Sequence, residues 1–153
     1  MGVVTQEYAT PAAVPPARLF KAMSLDIHNL FPKIVEPIQS IEFTQGDGGA
    51  GTIKKLTILE GTLNRHLDEI DAEKFVYNFS IIGGTGLAET LEKIQFESQL
   101  VETPNGGSLR KVHVQFFTKG DAKMSEQDLK ASQAKVEGLV KLVETFLLAN
   151  PDY

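Results

Sequence analysis

The chain has 153 residues, of which 42% are apolar and 23% charged, the size and make-up of one globular domain rather than of a disordered chain. Fifteen Lys and Arg against twenty Asp and Glu leave a net charge of −5, so there is no basic footprint for a nucleic acid. The sequence contains no Cys, which excludes disulfides, thiolate metal sites and thiol nucleophiles.

In chain order, alternation of apolar and polar residues predicts a first strand over Val3–Tyr8. A short helix follows over Pro15–Leu25, with prolines in the first turn where a missing N–H costs least. A second short helix over Asn29–Val35 ends before Pro37. Strands are then expected over Ile38–Thr44, Thr52–Leu59 and Leu63–Ile70. The clearest period-two rows come next: Phe75, Tyr77, Phe79 and Ile81; Ile94, Phe96, Ser98 and Leu100; Val112, Val114 and Phe116. Glycine-, Asn- and Pro-rich turns separate these rows, and connections so short imply antiparallel hairpins. Last, Ser125 caps a long helix whose stripe runs through Leu129, Ser132, Val136, Leu139, Val140, Val143, Phe146 and Leu147 to the stop at Asn150-Pro151. Such a helix is about 35 Å long, enough to cross a sheet. The fold class is therefore α+β: one domain over 1–153, a seven-stranded antiparallel sheet wrapped around a long C-terminal helix, with two short helices.

No apolar run reaches the roughly 20 residues needed to span a bilayer, and the N-terminus has no basic segment followed by an apolar run. A cytoplasmic protein without a membrane partner is the expectation. The Asn78-Phe79-Ser80 sequon, lying inside a strand pattern, reads as incidental.

Motifs for catalysis are sparse. Gly46-Asp47-Gly48-Gly49-Ala50-Gly51 fits a G-x-G-x-x-G string, but a strand follows it rather than a helix, so a dinucleotide site fails on context. A tight hairpin is the reading, with anion binding by its N–H groups a weaker alternative. His28, His66 and His113 lie on separate elements without ligand spacing, and neither a Ser elbow nor a paired-carboxylate pattern is present. No cofactor is expected.

From Gly46 to Lys55 the chain resembles the glycine-rich loop of the class-10 pathogenesis-related proteins, the family of the major birch pollen allergen. Further matches run in order along the chain: Met1-Gly2-Val3, Pro16–Ala22, Leu30–Lys33, Leu91–Ile94, Pro104–Ser108, Thr118–Asp121 and Leu147–Pro151. The resemblance implies a helix-grip fold enclosing a hydrophobic cavity for flavonoids, cytokinins or other hormones, sterols or fatty acids. Carried over by position, it implies a lining of Leu56, Ile58, Leu63, Arg65, Leu67, Tyr77, Phe79, Ile81, Phe96, Ser98, Val114, Phe116, Ser132, Lys135, Val136 and Leu139, with Met23 and Phe31 from the short helices. It also implies a backbone-carbonyl cation site at Pro32, Val35 and Ile38.

The chain departs from the birch relative in three ways. The hairpin between Lys55 and Asp68 is shorter, Phe79 stands where a tyrosine is usual, and Arg65 and Lys135 replace an acidic and an apolar residue. Arg65 lies between Leu63 and Leu67 in one strand and faces the same side, so an inward Arg65 needs an acceptor. The resemblance implies a monomeric plant-defence or developmental carrier, an allergen-type protein. The alternative it leaves open is an enzyme of the same fold, a ribonuclease or a condensing enzyme using a cavity lysine. Related abscisic-acid receptors carry a Ser-Gly-Leu-Pro gate, where this chain has Leu59-Glu60-Gly61-Thr62.

Overall fold

In the computed structural model, residues 2–153 are described; Met1, the first residue of the Met1-Gly2-Val3 match, lies outside them. The elements are β1 (Gly2–Ala12), α1 (Pro16–Phe20), a π-helical turn (Lys21–Leu25), α2 (Ile27–Ile34), β2 (Ile38–Gln45), β3 (Ile53–Ile58), β4 (Gly61–Asp71), β5 (Val76–Gly83), β6 (Leu91–Glu102), β7 (Ser108–Thr118) and α3 (Glu126–Ala149). The seven strands form one antiparallel sheet in the order β1-β7-β6-β5-β4-β3-β2. Strands β2 to β7 follow one another as hairpins, and β1 closes the far edge against β7, as short connections require.

The period-two rows explain which face is which. Val112, Val114 and Phe116 are 4%, 0% and 1% exposed, while Lys111 just before them is open to water and His113 and Gln115 between them are half-buried. One face of the sheet is therefore apolar and turned toward α3. That helix begins with a capping box: the Asp128 N–H donates to Ser125 Oγ at 3.0 Å, and the Ser125 N–H donates to the Asp128 carboxylate at 3.1 Å. Its far end is tied down. Arg18 donates to the carbonyls of Leu147 (3.0 Å) and Asn150 (2.9 Å), satisfying acceptors that the helix leaves open and placing a cation at its negative end. Tyr153 donates to the Asp26 carboxylate at 2.5 Å and packs edge-on against Phe146.

Several boundaries differ from the sequence reading for local reasons. β1 continues through Pro11 to Ala12, because an edge strand tolerates a residue with no N–H. The first helical segment is split between α1 and the π-helical turn, and α2 starts at Ile27, two residues before the expected Asn29. Phe75 is not part of the β5 row. Its φ of 57° puts it in the left-handed region within the preceding turn, where its ring meets Phe20 edge-on at 5.6 Å. In β4 a register shift between Leu67 and Glu69 inserts one residue, which returns Ile70 to the side of Leu67, opposite Tyr77. The hairpin turn after β3 is buttressed by the loop after β5: the Gly86 N–H donates to the Thr62 carbonyl at 2.8 Å. A side chain at Gly84 would fall 2.2 Å from that carbonyl, so only glycine fits there.

Candidate functional site: the interior between the sheet and the long helix

The expected lining divides into three groups. Leu56, Leu67, Tyr77, Phe79, Phe96, Ser98, Val114 and Phe116 from the sheet, with Met23 and Phe31 from the helical segments, are buried. Ile58, Leu63, Arg65, Ile81, Ser132, Val136 and Leu139 are only half-buried. Lys135 is exposed, its charge in water as is usual for lysine on the border of an apolar stripe. The middle group carries the information. These positions share the strand parity or helical stripe of the buried ones and pack against the buried core, yet they retain accessible surface. The backbone of α3 comes close mainly to β1, α1 and α2.

Aromatic rings form the floor. Phe79 and Phe96, register partners on β5 and β6, stack at 4.8 Å, and Tyr77 lies 5.6 Å from Phe79. The Arg65 guanidinium lies 3.5 Å from the Phe79 ring centre and 5.5 Å from that of Tyr77. Ser98 donates its hydroxyl to the Tyr77 carbonyl at 2.5 Å, so this side chain serves the sheet and is not a free donor.

The charges of the interior go well beyond Arg65. Lys54 on β3 is 5% exposed and Arg110 on β7 is 7% exposed, and each shares its parity with inward apolar residues, Leu56 and Val112. Burial, and then the neighbouring Arg65 charge, push the Lys54 ammonium down to about 8. Arg110 is pushed down to about 10 by burial and by Arg65, with the Tyr8 phenol working the other way. Arg65 itself is lowered by burial, partly offset by Tyr77. Tyr8 is raised to about 12, mainly by burial, so its phenol stays protonated as a donor.

Lys54, Arg110, Tyr8 and the neighbouring Gln6 and Thr10 were missed by a reading that followed apolar residues only. The signal was available, because period two places Lys54 with Leu56, Arg110 with Val112, and Gln6, Tyr8 and Thr10 in one row with Val4.

Other candidates come out differently. In the Gly46, Asp47, Gly48, Gly49, Ala50, Gly51 loop, the Gly48 N–H donates to Thr52 Oγ1 (2.8 Å), that of Gly49 to Asp47 Oδ1 (3.3 Å) and that of Gly51 to the Leu67 carbonyl (2.8 Å). With these three donors engaged, the loop is a braced turn, and the N–H groups of Gly48, Gly49 and Gly51 are not free to cradle an anion. The Val35 carbonyl already accepts the Ile38 N–H at 2.9 Å, which leaves it one lone pair toward a cation shared with the Pro32 and Ile38 carbonyls.

The histidines stay apart. His66 Nδ1 is 2.6 Å from Asp68, which also accepts the Ser80 hydroxyl (2.6 Å); His113 lies between Glu97 (3.3 Å) and Glu7 (3.8 Å) on the outer face; His28 meets Phe43 edge-on. Since Asp68 separates His66 from Ser80, the group is not a nucleophile relay. Among the described residues no three His, Asp or Glu side chains are placed to hold a metal ion, and no helix is long and apolar enough to cross a membrane. A groove of ≈ 580 Å³ on the outer face is lined in part by Glu7, Glu97, Lys111 and His113.

Comparison with known proteins agrees with this architecture. Residues 1–150 match the model of the pathogenesis-related protein Bet v 1 family. The chain is 69% identical to pathogenesis-related protein 10 of Glycine max, over the full length of both. The crystal structure of Ara h 8.0201 is 41% identical and superposes with a TM-score of 0.91, covering 97% of this chain and all of that one. Norcoclaurine synthase of Thalictrum flavum, in complex with a transition-state analogue, is similar in fold alone, at 16% identity and a TM-score of 0.72 over 99% of each chain. With the helix gripped by the seven-stranded sheet and these full-length matches, the chain belongs to the Bet v 1 family, among its class-10 pathogenesis-related proteins.

Proposed function

We propose that this protein is an intracellular carrier or reservoir that holds one small amphipathic molecule between the inner face of the sheet and the first half of α3. The observation that carries the reading is the half-buried set: Ile58, Leu63, Ile81, Val136 and Leu139 lie on the inward strand rows and helical stripe, yet keep accessible apolar surface that a ligand could cover. Burial of an apolar ligand against these residues and the Phe79–Phe96 stack supplies the affinity, with a few polar groups setting orientation. Membership of the Bet v 1 family supports the same reading and a role in plant defence or development.

A catalytic reading has less to stand on. The lysine it would use, Lys135, is exposed while Tyr77 is buried, and the glycine-rich loop spends its donors on its own chain. The test of the binding reading is a fluorescence titration with 1-anilinonaphthalene-8-sulfonate at neutral pH. The expected result is saturable enhancement with one probe per chain. Absence of binding, with the fold verified by circular dichroism, would show the interior to be closed and filled.

A further inference from the structure

We propose that the interior is built for an acidic ligand, whose anionic group is received by the guanidiniums of Arg65 on β4 and Arg110 on β7, with the Tyr8 phenol as a third donor. The proposal rests on the binding reading above and names the ligand class: an amphipathic carboxylate or acidic phenolate.

The starting point is an arrangement a stable sheet avoids. Lys54 and Arg65 are direct register partners on β3 and β4, both on the inner face. Like charges directly opposite one another in a ladder repel, and burial strengthens the repulsion. Arg110 adds a third cation, pairing across the sheet with Thr10 on one side and Leu100 on the other, neither of which carries charge. Among the described residues no carboxylate lies within 4.0 Å of any of the three, since the ion pairs that form involve His66, His113 and Lys141. The acid that acts on Tyr8 from the helix is Glu137, to which Gln133 donates at 3.4 Å.

The unused atoms point the same way. Arg65 Nε, Arg110 Nη1 and the Tyr8 hydroxyl are each sealed from solvent and without a protein partner. Two are permanent donors on cations and the third is a protonated phenol. Buried donors of this kind are normally paired, and an unpaired buried charge is the most costly case. An anion supplies what all three lack. Beside them, the Phe79–Phe96 stack and the half-buried Val136 and Leu139 provide the apolar bed for the rest of the molecule. Across the inner face, with β5 and β6 between their strands, the Arg65 charge acts on Arg110 as it does on its direct partner Lys54. A neutral sterol would leave that repulsion unrelieved, whereas an acid removes it on binding.

The experiment compares two probes that differ in one group: 1-anilinonaphthalene-8-sulfonate and N-phenyl-1-naphthylamine, the same aromatic frame without the sulfonate. Wild-type protein is expected to bind the sulfonate about tenfold to a hundredfold more tightly, the range of a charge-assisted hydrogen bond. Arg65→Met and Arg110→Met are each expected to bring that ratio down toward one. Lys111→Met makes the same change of charge on the outer face and is expected to keep the ratio. The unliganded Arg65→Met protein is also expected to melt at a higher temperature than wild type, because the repulsion between Arg65 and its register partner Lys54 has been removed; a structural arginine would give the opposite sign.

Equal affinity of the wild type for both probes would overturn the acid site while leaving the binding reading standing. Failure of both probes to bind would overturn the two together. An equal loss of preference in Lys111→Met would reduce the effect to net charge and overturn the proposal as well. The wild-type comparison is decisive even if a variant fails to fold.

Discussion

The two halves of α3 carry the same apolar stripe and meet different surroundings. In the second half, Val140, Val143 and Leu147 are 1%, 0% and 0% exposed, packed with Leu19 and Ile27 in one solid core and held by Arg18, Ala13 and Tyr153. Toward the start of the helix, Leu129, Val136 and, just past the midpoint, Leu139 remain half-buried over the inner face of the sheet. Periodicity says which side of a helix is turned inward, but not whether the opposite wall comes close enough to touch it. The far end of the helix is anchored in the core, while toward its start the same stripe keeps accessible surface over the sheet.

The largest expected effect lies in the anchoring half. Leu147→Ala should cost about 2–5 kcal/mol in denaturant unfolding, since it opens a cavity in a closed core. Next is Glu144, which is 6% exposed and accepts the Ala13 N–H (2.5 Å) and the Lys141 ammonium (2.8 Å). The Lys141 and Ala13 hydrogen bonds outweigh burial and hold its carboxyl below the ordinary glutamate range. A depressed acid contributes stability that is present above its unfolded pKa and lost as pH falls through the folded one. Glu144→Gln is therefore expected to cost about 1.5–3 kcal/mol at pH 7, and the gap to wild type should close below about pH 4. The smallest effect is expected in the half-buried stretch. Leu139→Ala should cost about 1 kcal/mol or less, because its side chain already keeps accessible surface. If Leu139→Ala cost as much as Leu147→Ala, the two halves would be equally packed and the contrast would be broken.

Much of this was legible in the sequence, for physical reasons that also mark where it stopped being so. Strict alternation on β5, β6 and β7 put Phe79, Phe96, Val114 and Phe116 on one face, because the strand period leaves no other choice. The Ser125 cap and the Asn150-Pro151 stop bounded α3 to within a residue of its observed ends. Alternation failed where the backbone departs from the regular strand: at Phe75, which takes a left-handed turn, and at the β4 bulge that turns Ile70 back inward. The basic residues of the interior were overlooked for a different reason. Lys54 and Arg110 obey the alternation, but charge on an inner face runs against the expectation that strands bury apolar residues, and only the register shows Lys54 facing Arg65. Which inward residues keep accessible surface was not legible at all, since that depends on the stand-off between α3 and the sheet.

That stand-off is the central claim, and it is tested most directly by heteronuclear NMR of the labelled protein during titration with the neutral probe N-phenyl-1-naphthylamine. The account predicts that the largest shift changes fall on the side chains of Ile58, Leu63, Ile81, Val136 and Leu139, with Val143 and Leu147 little affected. Shift changes confined to the outer groove around Lys111 and His113, with the inward methyl groups unmoved, would contradict it.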